Sequence, residues 1–171
     1  MSECRGAAER FMAKDLDGWD GLPPECRAEA INAWFPEVAG LGYGTLGRDG
    51  FDYQFLAVVI DAFPQPVRLY HRDGVLAVIR AEYWTIDPAQ GAATLDRLGA
   101  PTTRRDLIWR HQVLPGAEWV YAARGLAMGV LSTGAIVTAA GFVPCPAATY
   151  ARRYATPEPT NELPQRRDPP G

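Results

Sequence analysis

The chain has 171 residues, 47% of them apolar, with 17 basic side chains against 20 acidic ones. That length fits one domain, or two small units sharing a sheet, and the apolar content excludes wholesale disorder. A net charge of −3 leaves no basic footprint, which argues against a dedicated nucleic-acid binder.

In chain order, residues 3–14 predict a short helix, with Ser2 as N-cap and Ala8, Phe11 and Met12 on one stripe. The polar turn DLDGWDG follows. In LPPECRAEAINAWF, Pro24 suits a first helical turn and Glu25 complements the helix dipole. Ile31, Trp34 and Phe35 align at helical spacing until Pro36. From Gly40 the texture is β: LGYGTLG, an RDG turn and FDYQFLAVVI. VRLYH, an Asp73-Gly74 hairpin turn and VLAVIRAEYW come next. Asp87-Pro88 opens a further helix, PAQGAATLDRLG, which Gly99 ends. A second β run comprises DLIWRHQV, a Pro115-Gly116 turn, AEWVYAA, GLAMGVLS, a Thr133-Gly134 turn and AIVTAAGFV. Pro144 and Pro146 end it. The remainder, ATPEPTNELPQRRDPPG, has little to bury and predicts a disordered tail.

The order predicts an α+β fold, a helix followed by an antiparallel β-meander. Residues 1–21 form the N-terminal helix and turn, 22–155 the α+β domain and 156–171 the tail. Two organisations of the domain fit: a single unit, or tandem α/β units over 22–86 and 87–150 sharing one curved sheet. A spacing of 64 sets Pro24, Ala28, Ile31 and Trp34 against Pro88, Ala92, Leu95 and Leu98. A spacing of 60 sets Gly74 and Leu76 against Gly134 and Ile136.

Between Arg124 and Arg152 no residue is charged, a run long enough to span a bilayer. Ser132-Thr133-Gly134 at its middle reads as a tight turn, so a buried β-hairpin is expected rather than a membrane helix. Glu3, Arg5, Glu9 and Arg10 occupy the place of a signal peptide's apolar stretch. Cys4, Cys26 and Cys145 are odd in number and widely spaced. They predict three reduced thiols in a cytoplasmic protein.

The LGAP after the later helix, the GAEWVYAARGLAM strand pair and the STGAIV hairpin give a layout over roughly residues 22–150. It resembles the β-lactamase-inhibitory-protein-like fold and the related small outer-membrane assembly lipoproteins. The chain departs from that pattern in lacking a secretion signal, a lipobox and a plausible disulfide pair. The resemblance implies a partner-binding sheet face and no catalysis.

Catalytic equipment is sparse. His71 and His111 have no local HxxxH, HExxH or CxxC beside them, so neither a metal nor a cofactor is expected. Lys14, the one lysine, lacks the preceding glycines of a phosphate loop, and strand-like residues follow Gly42, Gly44 and Gly47. A Cys145–His111 pair would have to meet in the fold. Glu82 and Glu118 lie within apolar strands, where an acid must be paired or exposed.

The arginine and aromatic texture is more informative. With Arg72 opposite Val75 across the turn, Val67, Leu69, His71, Leu76 and Val78 share a core face. Arg68, Tyr70, Arg72, Ala77 and Ile79 share the outer one. Exposed Arg, Tyr and Trp dominate binding hot spots. Arg68, Tyr70 and Arg72, with Arg80, Trp84 and Arg110, are therefore the predicted binding surface for another protein. The function expected is a non-enzymatic inhibitor, immunity-type or adaptor module acting through that face, with no membrane partner. The alternative is a small enzyme or small-ligand protein whose aromatic-lined pocket holds His111, Glu118, Trp119 and Tyr121.

Overall fold

A computed structural model describes residues 3–16, 18–27, 42–48, 51–58, 67–109 and 112–156. They form helices α1 (Glu3–Met12), α2 (Pro88–Leu98) and α3 (Ala147–Arg153). The strands are β1 (Gly42–Arg48), β2 (Phe51–Val58), β3 (Val67–Arg72), β4 (Val75–Ala81), β5 (Thr103–Trp109), β6 (Gln112–Tyr121), β7 (Leu126–Leu131) and β8 (Ile136–Phe142). One antiparallel sheet takes the order β1-β2-β3-β4-β8-β7-β6-β5, open at β1 and β5. This is the α+β layout that the sequence predicts. Each half of the chain supplies a four-stranded meander, and their last strands, β4 and β8, pair at the centre.

The helices follow local chemistry. Cys4, Ala7, Ala8 and Phe11 recur at helical spacing on α1 and all are buried. The Asp87 carboxylate caps α2 by accepting from the Ala89 and Gln90 N–H groups at 2.9 and 3.0 Å, with Pro88 next to it. Pro24 and Glu25 form a turn rather than a helix start; residues 28–36 of that expected helix lie outside the described residues. Helix α3, which the tail's prolines disguise, begins directly after Pro146.

The β3–β4 turn is as expected: Arg72 faces Val75, and Asp73 and Gly74 both take positive φ, 50° and 76°. The face assignment beyond it is corrected by a bulge at Ala77. His71 faces Leu76 but Tyr70 faces Val78, so Val78 turns outward with Arg68, Tyr70 and Arg80, and Ile79 joins Leu69 in the core. A second bulge leaves Val137 unopposed on β8, half-buried, while Leu126, Met128 and Val130 are buried. The β7–β8 hairpin occupies the uncharged run, and no helix among the described residues is long and apolar enough to cross a membrane.

Pro115 and Gly116 do not turn the chain. They lie inside β6, opposite an interruption of the ladder between Arg105 and Leu107, where a residue without an N–H is tolerated. The β5–β6 ladder instead ends with Trp109 opposite Gln112.

Helices α1 and α2 cover the core face, where Phe11, Trp19, Leu69, Ile79, Trp84, Met128 and Ile136 are almost wholly buried. Cys4 and Cys26 form a disulfide there, with Cα atoms 5.2 Å apart, which corrects the expectation of three reduced thiols. Sequence spacing hid the pair because only the fold lays α1 beside residue 26. The Leu76 N–H donates to the Cys26 carbonyl at 2.7 Å, and the Ile136 N–H to the Ile86 carbonyl at 3.0 Å. These bonds, the bulges at Ala77 and Val137, and the turn residues Gly74 and Gly134 all recur 60 residues apart.

Candidate functional site

On the outer face, pleating and register bring together side chains from five strands. Arg80 lies opposite Ala140, Ala140 opposite Ala127, Thr138 opposite Gly129, Gly129 opposite Glu118, and Glu118 opposite Arg105. Opposed residues share a face, so small side chains on β7 and β8 make a floor between charged walls. At Gly129 no Cβ would fit: it would meet Thr138 Oγ1 and Leu107 Cδ1. Arg80, Glu82, Leu107, Trp109, Glu118 and Thr156 border the cleft above this floor. The sheet curves enough for Trp109, at the end of edge strand β5, to meet the Tyr83 ring edge-on at 5.7 Å, just beyond β4.

Helix α3 closes the other side. Its Tyr150 is wholly buried against Phe142, rings 4.6 Å apart, and its hydroxyl donates to Glu118 Oε1 at 2.7 Å. Arg105 lies 3.5 Å from Glu118 Oε2. Arg68 pairs with Glu82 at 2.7 Å. The Arg80 guanidinium donates to Thr156 Oγ1 and to the Tyr154 carbonyl. Buried polar groups must be satisfied in this way, since each would otherwise carry its desolvation cost.

Electrostatics follow from that packing. Burial and then the charge of Glu118 push the Tyr150 hydroxyl well above its ordinary value. Burial by itself would lower Arg80. The facing Tyr150 and Glu118, with Tyr70 and Glu82, outweigh it and hold the guanidinium above its usual value. Arg80 is thus a fixed cation. Cys145 is different: burial raises its thiol, the reverse of what an activated nucleophile needs.

The predicted binding residues divide. Arg68 and Arg80 lie in the network, and Tyr70, half-buried, packs beside the Val78–Phe142 cluster on the same face. Arg72 is exposed at the end of β3. Trp84 is corrected to a core residue: it follows the end of β4, passes under α1 and stacks on Phe11 at 5.8 Å, with no exposure. Arg110 lies outside the described residues, as does His111.

The alternative pocket is not assembled as grouped. Glu118 reaches the outer cleft, but its neighbour Trp119 points to the core face under Arg104, 4.0 Å from the ring centre. Tyr121 shares that opposite face and donates to the Gly99 carbonyl at 3.1 Å. Alternation along one strand forbids adjacent residues from sharing a pocket. Tyr150 and Thr156 went unseen in the sequence; the Tyr150/Tyr154 spacing in ATYARRYA was the available helical signal.

A larger concavity of about 710 Å³ opens beside α1, lined by Arg10, Asp20, Leu22, Pro23 and Pro144 among others. Its charged pair, Arg10 and Asp20, stands 4.0 Å apart with Asp20 87% exposed, so water screens it. The outer cleft, at about 40 Å³, is where half-buried charges converge. No family model, curated protein or solved structure matches the chain.

Proposed function

We propose that the chain is a non-enzymatic module that binds another protein through the outer face of its sheet, as an inhibitor, immunity-type or adaptor protein does. The observation that carries this is the cleft of about 40 Å³ set in a charged and aromatic sheet surface. A small-molecule site usually needs roughly 300–1,000 Å³, so this cleft suits one side chain of a partner rather than a ligand. Beside it, Arg68 pairs with the cleft residue Glu82, and Tyr70 and Arg72 continue along β3, adding forked donors and rigid aromatic area, the chemistry of an interface anchor. The Cys4–Cys26 disulfide favours an oxidising compartment over the cytoplasm expected from the sequence. It also removes one departure from the β-lactamase-inhibitory-protein-like pattern.

The test is capture of the partner from the native host, followed by affinity measurement with Tyr70→Ala and Arg72→Ala in the full chain. Each should weaken the complex by about 1–3 kcal/mol, the usual hot-spot loss, with folding retained. Full affinity in both variants overturns the proposal.

A further inference from the structure

The carboxylates at the outer cleft already have cations: Glu82 has Arg68 at 2.7 Å, and Glu118 has Arg105 at 3.5 Å plus the Tyr150 hydroxyl at 2.7 Å. Arg80 differs. Its bonds go to a neutral hydroxyl, Thr156 Oγ1, and a neutral carbonyl, that of Tyr154; no carboxylate among the described residues lies in ion-pair range of it. Among the described residues, three guanidiniums, Arg68, Arg80 and Arg105, therefore face two carboxylates, a surplus of one positive charge. Two of the five guanidinium N–H donors of Arg80 are engaged, leaving others for a ligand.

We propose that the cleft receives a single carboxylate, the side chain of one aspartate or glutamate in the partner protein, with Arg80 as its hydrogen-bond donor. This rests on the sheet-face reading above and names the chemistry that the face selects. Size agrees. A cavity of about 40 Å³ holds roughly three water-sized groups, and a carboxylate has three heavy atoms. Charge agrees too. One negative group neutralises the network, whereas a doubly charged phosphate would overshoot it and repel Glu82 and Glu118. A neutral amide brings no charge to offset the Arg80 guanidinium. The half-buried setting weakens screening, and the guanidinium fork matches a carboxylate in two parallel bonds. The floor built of Ala127, Gly129 and Ala140 leaves the depth for the carboxylate to enter.

The probe is the capped tripeptide N-acetyl-Gly-Glu-Gly-amide, with N-acetyl-Gly-Gln-Gly-amide as its uncharged isostere. Each is titrated into the full 15N-labelled chain. The glutamate peptide should shift the amides of Ala127, Gly129, Thr138 and Ala140 and the Arg80 Nε–H saturably, with a dissociation constant in the low millimolar range. The glutamine peptide should bind about ten-fold more weakly or worse, since the charge-assisted bonds are gone. Glu82→Gln removes a repelling charge and should tighten the glutamate peptide several-fold. Arg80→Lys should weaken it about ten-fold through loss of the fork. If Arg80→Lys fails to fold, Glu82→Gln and the isostere comparison still decide. No shift in the cleft by about 50 mM, or equal shifts with both peptides, overturns the inference. That outcome, with Tyr70→Ala still weakening the captured complex, overturns the carboxylate inference alone. Intact binding by Tyr70→Ala and Arg72→Ala overturns the sheet-face reading instead.

Discussion

The Tyr150 hydroxyl donates to Glu118 Oε1 at 2.7 Å and thereby ties helix α3 to strand β6 across the outer face of the sheet. Both partners are shielded: Tyr150 has no exposure and the Glu118 side chain 13%. Tyr150→Phe keeps the ring on Phe142 and deletes one charge-accepting bond, so it should cost about 1.5–3 kcal/mol in urea unfolding.

The same bond sets an alkaline limit. Tyr150 is raised well above its ordinary value of 10.0, first by burial and then by Glu118. The folded chain thus holds the phenol proton more tightly than the unfolded chain does. Its contribution is complete below the unfolded value near 10 and is lost as pH rises from there toward the folded value. Stability should fall above pH 10 in the parent and fall less steeply in Tyr150→Phe. Equal slopes in the two would show that Tyr150 ionises as freely folded as unfolded.

The disulfide is open to a direct count. Cys4 and Cys26 are bonded and Cys145 is free, so thiol titration of the unreduced, denatured chain should find one thiol. Three would refute the pairing. Replacing Cys4 and Cys26 by serine should cost about 3 kcal/mol, the chain-entropy value for a closed loop of this size. Both sulfurs are buried, so reductant should act slowly until the chain unfolds.

Which parts of this molecule were legible in its sequence depends on how local their causes are. The Asp73-Gly74 turn and the Asp87 cap are local, and both stand as expected. The Ala77 bulge is set by pairing with a neighbour, so strict alternation assigned Val78 and Ile79 to the wrong faces. The spacing of 60 between the halves coincides with a recurring backbone bond and a recurring bulge. For the spacing of 64 only the first pair can be compared: Pro24 is in a turn and Pro88 opens α2, while Ala28, Ile31 and Trp34 lie outside the described residues. At the site, Arg68, Arg80 and Glu118 could be flagged as charges within strands. Tyr150, the partner of Glu118, is harder to see, since its only signal is the Tyr150/Tyr154 spacing in a short helix between prolines. The Cys4–Cys26 pair likewise exists only after α1 docks.

Trp84 and Arg72 should separate cleanly in stability. Trp84 is fully buried, stacked on Phe11 and bonded to the Phe11 carbonyl at 3.4 Å, so Trp84→Ala should cost about 3–5 kcal/mol. Arg72 is exposed, and Arg72→Ala should move stability by no more than about 0.5 kcal/mol. Chemical denaturation of the two variants checks this. A Trp84→Ala protein of parental stability would return that residue to the surface.

The floor of the cleft should be intolerant of one methyl group. A Cβ at residue 129 would collide with Thr138 Oγ1 on the adjacent strand β8 and come within 2.6 Å of Leu107 Cδ1 on the edge strand β5. Strand β8, which carries Thr138, cannot retreat without disturbing its pairing with β7 and β4. Gly129→Ala should therefore destabilise by about 1–3 kcal/mol, the range for overpacking a filled site. Adding Thr138→Ala removes the nearer obstacle, so the double variant should recover part of that loss, a coupling expected only of residues in contact. Strictly additive effects in thermal or urea unfolding would mean that Gly129 and Thr138 do not meet, and that the floor is not built as described.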